Sequence, residues 1–345
     1  MRKLFALGMV AVAAAAASAA SPVKSVSALA FGPDGVLFVG DPTAAAIVAF
    51  ETGDTAPGGK GDVMVDKLDE KIGSALGTTG ANIKISDVKV NPASGNIYLA
   101  VTRGAGKDAK PVIVKLDRAG AITEVALDKL KSSSVSIPNA SEKQRTEAIT
   151  SLAFVSGKVI VAGLSSEEFA STLRAIPYPF KDADKGSSVE IFHGAHGKLE
   201  TNSPVRTFVP YKLSGADYLL AAYTCTPLVK VPVADLKAGT KVKGTTIAEL
   251  GNRNRPLDMV VYSKGGTDYV LMANSARGVM KIPTEGMDKA EPITTRPSSE
   301  KAGTKYETIA ELKGVMQLDK LDADRALILV QAEDKSLSLK SIPLP

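Results

Sequence analysis

Both histidines of this 345-residue chain lie in one short stretch, Phe192–Glu200, which reads FHGAHGKLE. They are three residues apart, and a glycine follows each of them. Imidazole nitrogens are common ligands of zinc and copper, and the chain's only cysteine, Cys225, supplies a thiolate that suits the same ions. We therefore predict a metal site formed by His193, His196 and Cys225.

Three methionines extend this prediction toward copper, because thioethers are soft ligands. They are Met259, Met272 and Met280. Structural roles are the alternative for the histidines and the cysteine. The histidines lie in a glycine-rich loop of no fixed geometry, and a free cysteine is often a small buried apolar residue.

A second group of polar residues predicts an anion site. Arg253 and Arg255 lie two residues apart in the run GNRNRP, and Arg277 lies three residues after Asn274 in the run NSARG. Guanidinium groups bind carboxylates and phosphates through paired hydrogen bonds. The alternative is that these arginines pair with acidic residues and hold the loops in shape.

Short strands between turns follow the first twenty residues, without long amphipathic helical patterns, so we predict an all-β chain. A strand, turn and strand unit returns six times, about every 50 to 65 residues. The units are Ser27–Asp41, Ile85–Arg103, Ile149–Leu164, Val205–Tyr223, Pro256–Ser275 and Val315–Glu333.

This period predicts a six-bladed β-propeller of four-stranded antiparallel blades, because each blade buries its faces against its neighbours in a ring. Seven blades are the alternative count. Two packed β-sandwiches are the alternative architecture, but they do not explain six copies of one hairpin. We predict one domain, over residues 21–345.

The hairpin LAFGPDGVLFVGD, Leu29–Asp41, resembles the first hairpin of NHL-repeat and gluconolactonase-like propellers. The resemblance implies a six-bladed ring and calcium-dependent lactone hydrolysis. We find no counterpart of the calcium and catalytic motifs of the gluconolactonase-like enzymes. The chain has no tryptophan, which argues against WD-type blades and the tryptophan-docking repeats of quinoprotein dehydrogenases.

In a propeller with strands A to D counted outward from the axis, the D-to-A and B-to-C loops open on one face, here called the mouth. This topology places the two histidines, Cys225 and the three arginines at the mouth. It adds Arg103 and Glu147 from blades two and three. Chemistry is therefore predicted on this face, and plain hairpin turns on the opposite face.

Asp87 and Asp258 occupy equivalent positions near the start of strand A, the strand closest to the axis. Two carboxylates facing the channel could bind calcium. The alternative is that they accept backbone N–H groups in the turn.

Residues 1–20 predict a secretory signal peptide. Arg2 and Lys3 precede an apolar run, and small residues follow at Ala17–Ala20, where a signal peptidase cleaves. A membrane anchor is the alternative, but thirteen mainly alanine residues fall short of the roughly 20 that a spanning helix needs. We expect a periplasmic or secreted protein that is not inserted in a membrane after cleavage.

The charge of the remaining chain excludes a nucleic-acid binder. Without residues 1–20, 40 basic residues face 37 acidic ones, and the basic residues are spread along the chain. A single cysteine forms no internal disulfide, so packing alone must stabilise the fold. We expect a monomer that binds a small molecule or an exported protein.

Three functions remain open at this point. The first is an exported propeller that binds a small anionic ligand, a metal or a protein partner at the mouth. The second is a calcium-dependent lactonase or hydrolase with Asp87 and Asp258 among its ligands, and the third is a copper-linked redox accessory protein. The cofactor is accordingly copper, zinc, calcium or none.

The last blade lacks an outer strand, since the chain ends at Pro345 after three strands. We predict that Pro22–Val26 supplies that strand, or packs beside it, and so closes the ring.

Overall fold

The structure is a computed structural model that describes residues 21–345, so the predicted signal peptide lies outside the described residues. This part of the chain contains one α-helix, α1 (Leu68–Ala75), and six short 3-10 turns. No helix within it combines the length and the apolar character that crossing a membrane requires. The 3-10 turns are Pro33–Gly35, Gly80–Asn82, Gly106–Asp108, Leu127–Lys129, Arg145–Glu147 and Val233–Asp235.

The described residues also form 27 β-strands. In chain order they are β1 Leu29–Phe31, β2 Val36–Asp41, β3 Ala46–Glu51, β4 Met64–Val65, β5 Ile83–Val90, β6 Ile97–Arg103, β7 Lys110–Leu116, β8 Ile122–Glu124, β9 Ser132–Ser136, β10 Ser151–Val155, β11 Lys158–Leu164, β12 Ser171–Pro177, β13 Ser187–His193, β14 Lys198–Glu200, β15 Thr207–Leu213, β16 Ala216–Ala222, β17 Pro227–Pro232, β18 Lys241–Lys243, β19 Thr245–Leu250, β20 Pro256–Lys264, β21 Thr267–Asn274, β22 Gly278–Pro283, β23 Lys301–Gly303, β24 Glu307–Ile309, β25 Val315–Lys320, β26 Arg325–Gln331 and β27 Leu337–Pro343.

These strands form six small sheets arranged as a six-bladed β-propeller, which confirms the predicted fold. From the axis outward, blade 1 is β1-β2-β3-β9, blade 2 is β5-β6-β7-β8, and blade 3 is β10-β11-β12-β13-β14 with β18 beside β13. Blade 4 is β15-β16-β17-β19-β23, blade 5 is β20-β21-β22-β24, and blade 6 is β25-β26-β27-β4. Blades 3 and 4 thus carry more than the four strands expected.

The order of the blades around the ring is not their order in the chain. Each pair of neighbouring blades shares one apolar cluster, and the clusters join blades in the sequence 1, 3, 4, 5, 6, 2 and back to 1. Blade 2 therefore lies between blades 1 and 6. After completing blade 2, the chain returns to blade 1 and adds β9 as its outer strand.

Ring closure depends on β4 and not on the N-terminal residues, so our prediction for Pro22–Val26 was wrong. Met64 and Val65 pair with β27 as the outer strand of blade 6, and the amide of Ser341 donates to the carbonyl of Val63 over 2.8 Å. The N-terminal segment is held on blade 1 instead, because the carboxylate of Asp41 accepts the amides of two of its residues.

Candidate functional site

The histidine stretch forms a tight β-hairpin and not a glycine-rich loop of no fixed geometry. His193 ends β13 and pairs with Lys198 at the start of β14. The amides of His196 and Gly197 both donate to the carbonyl of His193, over 3.1 and 2.8 Å. Gly197 has a φ of 66°, which favours glycine, and this explains the residue after the second histidine.

Gly194 is required by a close approach to blade 4. A Cβ at this position would lie 2.8 Å from the side chain of Glu249, which projects from β19. Without a side chain, the Gly194 amide can donate to Oε1 of Glu249 over 2.6 Å. The hairpin is therefore fastened to the neighbouring blade by one buried carboxyl group.

Cys225 lies in the turn between β16 and β17, as the topology predicted. Its amide donates to the carbonyl of Asn254 over 2.7 Å, and the hydroxyl of Thr226 donates to the carbonyl of Gly251 over 2.6 Å. Both residues of this turn have left-handed φ angles, 63° and 55°. The loop around Gly251–Asn254 therefore fixes a turn whose conformation L-residues disfavour.

The structure brings the three predicted metal ligands together. One donor atom from each of His193, His196 and Cys225 lies within 4.8 Å of the other two. The two imidazole rings stack, with centroids 3.8 Å apart and planes 29° apart. His193 is buried, Cys225 is half-buried and His196 is exposed, so the cluster opens toward solvent on the side of His196.

His193 is a neutral histidine whose hydrogen-bonding capacity is unused. Only 1% of it is exposed, and neither ring nitrogen has a partner among the described residues. Burial, together with the adjacent ring of His196, lowers its pKa to about 4. A neutral imidazole ring presents a lone pair to a metal ion. A buried polar group without a hydrogen-bond partner lowers the stability of the fold by about 1–3 kcal/mol.

Glu249 was missed at the level of sequence. It is 2% exposed, its Oε2 has no partner among the residues described, and burial raises its pKa to about 7 despite the donated amides of Gly194 and Ala195. The available signal was an isolated acid in the otherwise uncharged strand TTIAEL.

The polar residues predicted as an anion site are partly occupied by structural contacts. The guanidinium of Arg277 donates to Glu300 over 2.8 Å and to the carbonyl of Asn252 over 3.1 Å. Asn274 is buried and accepts the side-chain amide of Asn254. Arg253 and Arg255 are exposed beside them. These contacts of Arg277 agree with the alternative to the anion site, in which the arginine pairs with an acidic residue and holds the loops in shape.

Glu147 is paired with Arg206, which the sequence did not single out. The Arg206 guanidinium contacts the Glu147 carboxylate and donates through Nε to the hydroxyl of Thr224 over 3.1 Å. The hydrogen bond to Thr224 connects the start of blade 4 to the residue that precedes Cys225. Arg103 is half-buried at the end of β6 and is not among these contacts.

The three methionines do not join the candidate metal site. They pack in the apolar cluster between blades 4 and 5, so the prediction of thioether ligands was wrong. Their physical role is to fill the interior between two sheets, where flexible side chains adapt to irregular gaps. They are Met259, Met272 and Met280, each at most 3% exposed.

Asp87 and Asp258 face the axis, where Lys89 lies between them. The Lys89 ammonium is 3.3 Å from Oδ1 of Asp87 and 3.2 Å from Oδ2 of Asp258. Burial raises the pKa of Asp87 to about 6, against the opposing effect of Lys89. Burial alone would lower the pKa of Lys89, but the carboxylates of Asp258, Asp87 and Asp319 raise it.

Three carboxylates at the axis also link neighbouring blades through backbone amides. Asp258 of blade 5 accepts the amide of Leu318 in blade 6 over 3.0 Å. Asp319 of blade 6 accepts the amide of Val90 in blade 2 over 2.6 Å, and Asp87 of blade 2 accepts the amide of Leu29 in blade 1 over 2.7 Å. These carboxylates therefore have backbone partners, but the amides belong to the neighbouring blade and not to the turn that the structural alternative assumed.

The charged cluster at the axis divides the channel into two unequal spaces. A cavity of about 50 Å³ lies on the mouth side, lined by Asp87 and Arg206 among others. A cavity of about 670 Å³ lies toward the opposite face, which was expected to carry only plain turns. A third space, of about 240 Å³, lies beside Gly194 and Glu249 under the segment 296–300.

No protein-family model and no curated protein matches the chain. Solved propeller structures match over most of its length. They include an oxidoreductase (glucose dehydrogenase) of Thermus thermophilus, with 12% identity over 93% of this chain and 97% of that chain and a TM-score of 0.37. The PQQ-bound aldose sugar dehydrogenase of Streptomyces coelicolor has 13% identity over 93% and 94%, with a TM-score of 0.33.

A streptogramin B lyase matches in the same way, with 9% identity over 94% of this chain and 96% of that chain and a TM-score of 0.42. The ring of six sheets agrees with the architecture-level resemblance that the first hairpin predicted. At these identities and TM-scores, the likeness concerns the arrangement of blades and carries no chemistry over to this chain.

Proposed function

We propose that this chain is an exported β-propeller that binds a transition-metal ion, copper or zinc, through His193, His196 and Cys225. The observation that carries the proposal is the convergence of the three donor atoms within 4.8 Å, from two loops of different blades. Imidazole and thiolate form a ligand set that both ions accept.

The donor separation is close to what a metal ion requires. With metal–ligand bonds of about 2.0–2.3 Å, the ligand atoms of a tetrahedral or trigonal ion are roughly 3.3–4 Å apart. His196 is exposed at the tip of the hairpin and can move toward the other two donors. His193 and Cys225 are held by β13 and by the loop around Gly251–Asn254, so they form the fixed part of the site.

The thiol supports an exported metal-binding role. An unpaired cysteine in an oxidising compartment is open to oxidation, and coordination to a metal ion protects it as the thiolate. The signal-like N-terminus supplies the argument for export. A periplasmic or secreted location is part of the same proposal.

Calcium-dependent hydrolysis at the axis has less support. The ammonium of Lys89 occupies the space between Asp87 and Asp258, where a calcium ion would need those oxygens. Both carboxylates also accept backbone amides from neighbouring blades.

Metal analysis of the mature protein, residues 21–345, tests the proposal. We expect the protein, purified without chelators, to carry zinc or copper, and the metal-free protein to bind about one ion per chain in competition with a chromophoric chelator. Separate titrations with Zn(II) and Cu(I) identify the preferred ion.

Three variants sharpen the result. His193→Asn with His196→Asn, and Cys225→Ser, should each lose the ion. Lys198→Gln is the matched control, because Lys198 is exposed on the same hairpin and has no part in the cluster. Equal metal binding by the parent and the double histidine variant would overturn the proposal.

A further inference from the structure

We infer that the axial cavity on the face opposite the mouth binds a small organic cation, a primary ammonium group on an aromatic or branched apolar body. This site is separate from the proposed metal site. The two share no residue, and either proposal can fail alone.

The cavity has the size and the lining of a ligand site. Its volume of about 670 Å³ lies within the range of about 300–1,000 Å³ that small-molecule sites occupy. The inner strands of all six blades, and the turn that follows β25, form its wall. Phe31, Phe154 and Phe208 are among the residues that line it.

The rings are fixed by their neighbours. Phe31 packs edge-on against Tyr98 with centroids 5.1 Å apart, and Phe154 stacks on Phe38 with centroids 5.6 Å apart. Phe208 is buried. Aromatic rings held in this way can attract cations as well as apolar groups where they border a cavity.

The floor of the cavity carries an excess of negative charge. Asp258, Asp319 and Lys89 line it, and Asp87 lies behind Lys89. Three carboxylates thus face one ammonium group. Burial raises the pKa of Asp87 and that of Asp319, against the opposing effect of the Lys89 ammonium.

The carboxylates are held in place for a ligand. Each of the three accepts an amide from the next blade, so their positions follow from the ring itself. Each carboxylate has lone pairs beyond those bonds. An ammonium group entering from the open face would add donors and reduce the excess charge.

The rim does not reverse this preference. Lys320 and Asp322 line the outer part of the cavity with opposite charges, and Asp322 is already paired with Arg325. Lys320 is exposed, so water screens it from the floor more than it screens the buried carboxylates from one another.

Three probes of the same size and different charge test the inference on the mature protein. They are benzylammonium, benzyl alcohol and benzoate, and their affinities are measured by calorimetry or ligand-observed NMR. We expect benzylammonium to bind about tenfold more tightly than benzyl alcohol, and benzoate to bind most weakly. Comparable affinity of the first two, tightest binding by benzoate, or no saturable binding of benzylammonium up to about 10 mM would overturn it.

Variants identify the site. Asp319→Asn should weaken benzylammonium by about fivefold or more and leave benzyl alcohol unchanged, while Lys320→Glu, at an exposed residue, should strengthen benzylammonium. The double histidine variant is the control and should bind all three probes as the parent does. If Asp319→Asn does not fold, the Lys320→Glu result decides, and unchanged affinity there counts against the inference.

Discussion

The amide of Gly194 donates to Oε1 of Glu249 over 2.6 Å, and this bond joins the histidine hairpin of blade 3 to the outer part of blade 4. The second oxygen of Glu249 is buried without a partner among the described residues. A buried carboxyl group with a pKa of about 7 is neutral in acid and charged in mild alkali. We therefore expect the strength of the link between the two blades to depend on pH.

Glu249→Gln should make stability less dependent on pH. Because the folded-state pKa of Glu249 is raised from 4.5 to about 7, its contribution is fully present below pH 4.5 and is lost as the pH rises through 7. We expect the variant to match the parent near pH 5 and to exceed it at pH 8.5 by up to about 3 kcal/mol. Urea unfolding at both pH values measures the difference, and a gap that does not change with pH contradicts the assignment.

Replacing His193 separates a ligand from a structural residue. Both nitrogens of this buried ring lack partners among the described residues, so His193→Leu should abolish metal binding and leave the metal-free protein as stable as the parent or up to about 2 kcal/mol more stable. His196→Asn, at an exposed position, should abolish binding with no change in melting temperature beyond about a degree or two. If His193→Leu melts many degrees lower, the ring has a packing role that the contacts do not reveal.

The conformation of the turn at Cys225 predicts that two substitutions of this residue differ in stability and agree in loss of metal binding. Its φ of 63° is disfavoured for a residue with a side chain and costs about 1–2 kcal/mol. Cys225→Gly should therefore stay within about 1 kcal/mol of the parent, while Cys225→Val should destabilise by more than about 1 kcal/mol, because a β-branched residue fits this conformation badly. Both variants should lose the metal, which distinguishes stability from binding. A stable valine variant would argue against the turn conformation.

The sequence carried enough information for the blades and for the three metal-ligand candidates. The hairpins return at a regular spacing, and the D-to-A and B-to-C geometry then brings residues far apart in the chain, such as His193 and Cys225, to one place. The prediction did not need the exact ends of any strand. For the same reason, Asp87 and Asp258 could be placed at the axis from the alignment of the inner strands.

The strand that closes the ring could not be predicted from the sequence. A strand as short as Met64–Val65 has no alternation of apolar and polar residues to detect, and it lies far from the C-terminus in the chain. The pairing of Asp87 with Lys89 could have been predicted from the sequence, because Lys89 lies two residues later on the same strand and therefore on the same face. The role of Glu249 could not be predicted, because it depends on the contact between blade 3 and blade 4, and only the folded chain defines that contact.

The two residues of β4 provide a matched test of ring closure. Val65 is 9% exposed and packs in the cluster between blades 2 and 6, while Met64 is 64% exposed on the other face. Val65→Asp should destabilise by about 3 kcal/mol or more, since it buries an unpaired charge, and Met64→Asp should change stability by less than about 1 kcal/mol. Thermal melts of both variants measure this. Equal effects would show that β4 is not the closing strand.

Lys89 is the cation on which the axial carboxylates depend, and its removal should have a pH-dependent cost. Lys89→Met leaves Asp87, Asp258 and Asp319 without their ammonium partner, and breaking a buried ion pair costs about 3–5 kcal/mol. The pKa of Asp87 is already raised from 3.8 to about 6, and loss of Lys89 raises it further.

For a carboxyl group with a raised pKa, stability is present below about pH 4 and is lost as the pH rises through the folded-state value. The destabilisation of Lys89→Met should therefore be greatest near pH 8 and should diminish toward pH 5, where the carboxyl groups take up protons. Lys84→Met is the control, because Lys84 is an exposed lysine on the same strand. Chemical unfolding from pH 5 to 8 measures both variants. A cost for Lys89→Met that is constant over this range would mean that the axial carboxylates are not held in their charged form by Lys89.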